Sequence, residues 1–109
     1  MLVQAVAIDV KSPGDKSDAS ARMRSLGEVY AEAGKLDLAI ATYERALAFW
    51  DNDPDAAGER GQVRFSFAKA IAAKDRARAT ELAKTAREEL ASAQYADQRA
   101  EVEKWLAGR

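Results

Sequence analysis

The sequence predicts an all-α protein: a solenoid of antiparallel helix pairs closed by a C-terminal capping helix. Three observations carry that expectation. Alanine supplies 25 of the 109 residues, and it favours helix while adding little volume, so the helices must approach closely. The only two prolines, Pro13 and Pro54, stand 41 apart in the numbering, and proline together with its preceding residue ends helices. Between these breaks apolar residues recur at helical spacing. The pattern returns with a period of about 40, as a two-helix repeating unit requires.

The elements follow in order. Residues 2–10, with Val3, Val6 and Ile8, read as the second helix of a pair whose first helix is missing. Pro13 marks the turn after it. From Asp18 to Ala33 the apolar stripe is Ala19, Met23, Leu26, Val29 and Tyr30, and Gly34 breaks the chain. From Asp37 to Trp50 the stripe runs through Ala39, Ile40, Tyr43, Ala46 and Leu47, and Pro54 marks the next turn. From Ala57 to Ala73 it is Val63, Phe67, Ala70 and Ile71. Asp75 is placed to cap a further helix whose inward face is Ala79, Leu82, Ala83, Ala86 and Leu90. A last helix over 94–106 offers Tyr95, Val102, Trp105 and Leu106. The 109 residues therefore make one domain: a half repeat (2–10), a repeat (18–50), a degenerate repeat (57–91) and a cap (94–106). No segment alternates as a strand would. The equivalences are regular: Ala5, Ala46 and Ala86 lie 41 and 40 apart, and Leu26–Phe67, Gly27–Ala68 and Tyr30–Ile71 are each 41 apart.

Leu26, Gly27 and Tyr30, followed by Gly34, Ala39, Tyr43 and Ala46, resemble the tetratricopeptide repeat. Ala39 stands twelve positions after Gly27, Tyr43 follows four later and Ala46 three after that, each as in the family. Small residues at these points let paired helices touch while Leu26, Tyr30 and Tyr43 fill the space between them. The next unit, with Phe67, Ala68, Ile71, Ala79, Ala83 and Ala86, lacks the family's glycine and second-helix aromatic. The period of about 40 exceeds the standard of roughly 34. It resembles the longer variety in kinesin light chains and many bacterial regulatory proteins, and the ending Glu101–Leu106 is similar to a solvating cap helix, as expected at the C-terminus of a larger bacterial protein. The resemblance implies a right-handed solenoid whose first helices line a concave groove that binds a partner. It puts Arg24, Glu28 and Glu32 in the groove of the first repeat, and Gln62, Phe65 and Lys69 in that of the second.

Each of these has a structural reading beside the binding one. Phe65 lies off the core stripe and serves either as a binding anchor or as packing for the terminal helix. Arg24 and Lys69 either hold a peptide carboxylate or pair with surface carboxylates such as Glu28. Leu2, Val3 and Val6 form an apolar face with no first helix to cover it, so either the sequence begins within a longer array or the face joins another copy of the chain. A structural role, as a homo-oligomer or a solenoid cap without a peptide ligand, is the rival to peptide binding.

Composition argues against other classes. A formal charge of −1 leaves no field to draw in nucleic acid or an anionic membrane, and no stretch approaches a membrane span. Met1 to Val10 lacks a basic start and a cleavage site, so a cytoplasmic location is expected. With no histidine and no cysteine, the usual general base, zinc ligand and paired nucleophiles are missing, so no enzyme, metal site or cofactor is expected. Asp51, Asp53 and Asp55 alternate like the start of a calcium loop, but Ala56 and Gln62 stand where the motif needs glycine and glutamate. The run Lys74, Arg76, Arg78 has no interleaved aromatics and reads as a solvated face. Glu88 and Glu89 are neighbours on a helix and point apart, so they make no acid–base pair.

Overall fold

The computed structural model describes residues 16–50, 53 and 56–108, and among these every regular element is helical. In chain order they are α1 (Lys16–Glu32), α2 (Leu36–Phe49), α3 (Ala57–Ile71), α4 (Arg76–Glu89), a 3-10 turn (Ala93–Tyr95) and α5 (Ala96–Ala107). The half repeat over 2–10, both prolines and Asp51 and Asp55 of the acidic turn lie outside the described residues.

Each helix packs on the next, and α1 also lies against α3. Helices α2 and α4 pack less closely on one another than the neighbouring helices do, and are linked at the surface by an ion pair from Arg78 Nη2 to Glu44 Oε2 at 3.2 Å. First helices thus form one layer and second helices another, as in a helical repeat. Alanines permit the close approach. Helix α2 buries Ala39, Tyr43 and Ala46, and α4 buries their counterparts Ala79, Ala83 and Ala86, each forty positions further on. Trp50 and Leu90 continue the same two series as buried residues just past the helix ends.

The first helices repeat at a spacing of 41 and the second helices at 40, and the turns account for the difference. After α1, Gly34 N donates to Ala31 O (3.1 Å) and Lys35 N to Tyr30 O (2.8 Å), with Gly34 at φ +79°. That pair of bonds closes a helix through a left-handed residue, which glycine supplies without a Cβ clash. After α3, Lys74 N and Asp75 N both donate to Ile71 O, at 2.9 and 2.8 Å, and no residue there takes positive φ. Ala79 accordingly follows Phe67 by one residue fewer than Ala39 follows Leu26, although α3 ends early enough that four residues, not three, join it to α4. Asp75 then caps α4, its Oδ1 accepting from Arg78 N at 3.1 Å.

Between the pairs, Arg60 of α3 gathers the chain. Its Nη1 donates to Trp50 O (2.8 Å) and to Asp53 O (2.7 Å), and its Nε meets Glu89 Oε2 at 3.2 Å. Arg64 reaches the other oxygen of Glu89 at 2.8 Å. A cation beside the last carbonyls of α2 is also favourable to that helix end.

Two sequence expectations need correction. Val29 is 48% exposed rather than inward, because it sits about 100° around the helix from the Met23, Leu26, Tyr30 line. The terminal helix starts at Ala96, since Tyr95 N bonds back to Ser92 O at 3.0 Å and closes the 3-10 turn first.

Candidate functional site

Arg24, Glu28 and Glu32 stand four residues apart on α1 and so share one face. Across from them, α3 presents Gln62, Phe65, Ser66 and Lys69. The packing of α1 on α3 turns these rows into two adjoining clefts. The larger, about 490 Å³, has Glu28, Ala31 and Glu32 on one wall and Ser66, Lys69 and Ala70 on the other, with Tyr43 of α2 at its floor. The smaller, about 180 Å³, takes in Arg24, Gln62 and Phe65 and is closed by Gln98 and Glu101 of α5. Glu28, Ser66 and Lys69 border both, which makes one continuous groove. All six side chains anticipated for the groove therefore line it.

The groove's internal bonds leave part of its charge unpaired. Ser66 Oγ donates to Glu28 Oε2 at 2.9 Å, and Gln62 Nε2 donates to Gln98 Oε1 at 3.0 Å. The Lys69 ammonium sits 4.5 Å from the Phe65 ring centroid, and Phe65 meets Trp105 edge-on at 6.0 Å and 84°. Phe65 thus packs on the terminal helix and still lines the smaller cleft. Arg24 and Glu32 form no ion pair among the described residues.

The floor residue was legible in the sequence only as core filling. Tyr43 is fully buried and its ring stacks on Phe67 at 5.3 Å and 13°. Its Oη has no hydrogen-bond partner among the described residues. Burial holds its phenol well above the ordinary value; the Glu28 carboxylate adds to that and Arg24 opposes it. The tip of the ring lies against Gly27, so the hydroxyl ends beside the stretch of α1 that carries Arg24 and Glu28. Ser66, Gln98 and Glu101 were also missed. The one available signal for Ser66 was its place four residues after Gln62 and three before Lys69.

No protein-family model matches the chain, and neither a curated protein nor a solved structure is detectably similar to it. The groove is accordingly read from its own chemistry.

The remaining candidates fall elsewhere. Leu2, Val3 and Val6 lie outside the described residues. Lys74, Arg76 and Arg78 are exposed, with Arg78 also 4.9 Å from the Phe67 ring centroid. Glu88 is exposed while Glu89 holds Arg60 and Arg64. Among the described residues no three metal-binding side chains gather, and no helix is long and apolar enough to cross a membrane.

Proposed function

We propose that this chain is a right-handed, tetratricopeptide-type repeat that binds a peptide or helix of a partner protein along the groove between α1 and α3. The observation that carries the reading is the continuity of the two clefts, with Arg24 and Glu32 at their edges and outside any ion pair among the described residues. Such a surface supplies what peptide recognition uses: an aromatic anchor in Phe65, small residues at Ala31 and Ala70, and charges that set register.

The experiment is a random-peptide display selection on the immobilised chain, followed by affinity measurements on Ala31→Trp/Ala70→Trp, which fills the larger cleft whatever the charge of its occupant. Selected peptides should bind the double variant at least about tenfold more weakly, a loss of about 1.4 kcal/mol. A selection that enriches nothing, or peptides that bind both proteins equally, would sink the proposal.

A second reading, self-association, draws on the exposed apolar side chains Val29 and Leu38 of the first pair. Light scattering behind a sizing column tests it. A mass that halves in Val29→Glu/Leu38→Glu supports it, and a monomeric parent removes it.

A further inference from the structure

We infer that the larger cleft receives a basic side chain of the partner, its cationic head held by Glu28 and Glu32 above the Tyr43 hydroxyl. The inference rests on the peptide-binding reading and adds the chemistry of the group that enters.

The charges facing this cleft are those of Glu28, Glu32 and Lys69. The Lys69 ammonium is drawn over the Phe65 ring, which lines the smaller cleft. Arg24 also lines the smaller cleft, one turn before Glu28. That leaves two carboxylates one helical turn apart on α1, about 6 Å along its axis. Like charges at that spacing repel, and a cation between them relieves the repulsion. Ser66 takes one oxygen of Glu28. The other oxygen, and both of Glu32, remain to accept hydrogen bonds.

Tyr43 gives an independent sign of a missing partner. Its hydroxyl is buried at the cleft floor with its hydrogen-bonding capacity unused among the described residues. The hydroxyl has no exposed surface, so a guanidinium or ammonium N–H reaches it by shifting a side chain of the cleft wall, and then satisfies it as acceptor. The walls suit the rest of such a side chain, since Ala31 and Ala70 offer apolar surface to a flexible aliphatic stem. An acidic side chain would add a third negative charge, and a purely apolar one would desolvate two carboxylates without replacing their water.

The test follows amide chemical shifts of the full chain while N-acetylarginine amide and N-acetylglutamate amide are titrated separately. The arginine probe should shift Ala31, Glu32 and Ala70 saturably, and Glu28→Gln/Glu32→Gln should weaken it by about tenfold or more. The double variant keeps an acceptor for Ser66, and a melting curve checks that it folds. The inference is overturned if the arginine probe gives no saturable shift at these residues, if the glutamate probe matches it, or if the double variant binds it unchanged. The display selection separates this failure from that of the parent reading. Groove-binding peptides without a basic residue overturn the cleft assignment alone. An arginine probe that binds while no peptide is ever enriched upholds the cleft and sinks the peptide reading.

Discussion

The ring of Tyr43 rests directly on Gly27: a Cβ at position 27 would lie 2.7 Å from both Cε1 and Cζ of the tyrosine. The glycine and the aromatic therefore require one another. In the next unit the corresponding positions are Ala68 and Ala83, at the spacings of 41 and 40 that the two helix series follow. The two units thus differ at both positions, glycine with tyrosine in one and alanine with alanine in the other.

That dependence is measurable as a coupling. Gly27→Ala should cost about 1–3 kcal/mol through overpacking, and Tyr43→Ala about 3–5 kcal/mol through the cavity it leaves. In the double variant the new methyl enters vacated space, so the combined cost should fall short of the sum by about 1 kcal/mol or more. Urea unfolding of the four proteins gives the cycle, and simple additivity would show that the contact does not matter.

Tyr43→Phe isolates the hydroxyl. An unpartnered buried hydroxyl carries a desolvation cost, so its removal should leave stability unchanged or raise it by about 1 kcal/mol at neutral pH. The same variant should bind the arginine probe more weakly, a gain in stability set against a loss of function. A clear destabilisation would mean that the oxygen has a partner.

Alkaline pH tests the same group differently. The folded phenol is held above its ordinary value of about 10. Below about 10 the residue is neutral in both states and its contribution is fully present. As pH rises through that value the unfolded chain releases its proton first, so stability falls until the folded value is passed. Tyr95, raised mainly by burial and further by Glu59, adds to the fall. Urea midpoints between about pH 8 and about pH 11 should therefore drop less for Tyr43→Phe than for the parent.

Arg60 and Arg78 offer a contrast in ion pairs. Arg60 is largely shielded, touches two backbone carbonyls and shares Glu89 with Arg64. Arg60→Ala should cost about 2 kcal/mol. Arg78 and Glu44 are about half exposed, so Glu44→Ala should stay within about 1 kcal/mol. Added salt should narrow the difference little, because the Arg60 contacts are mostly short hydrogen bonds. Equal costs would contradict the shielding argument.

Phe65→Ala should free the terminal helix. Losing the edge contact with Trp105 removes apolar burial worth about 1–3 kcal/mol, and hydrogen exchange over 96–107 should accelerate more than over 36–49. Uniform acceleration would place Phe65 in the common core.

The helices and their breaks were legible because helical spacing of Ala39, Tyr43 and Ala46, and of Ala79, Ala83 and Ala86, is written directly in the side chains. The row Arg24, Glu28, Glu32 was expected in a groove only through the resemblance to the tetratricopeptide repeat; the four-residue spacing by itself says no more than that the three share a helix face. Val29 was misplaced because an apolar residue near the edge of a stripe looks the same in sequence as one at its centre. Arg60 was invisible for a different reason. Two of its partners are backbone carbonyls, which no residue pattern encodes. The unsatisfied Tyr43 hydroxyl was hidden by the ring that carries it, since helical spacing accounts for the tyrosine by bulk alone.

The one-residue difference between the spacings Leu26–Ala39 and Phe67–Ala79 bears on how such a chain tolerates insertions and deletions. A residue gained or lost between α3 and α4 leaves the faces of each helix as they were. Inside α3, ahead of Phe65, the same event would rotate everything downstream by about 100°. Phe65 and Lys69 would then leave the groove together. Length is thus free to drift at the hairpin tips and is held fixed along the inner helices.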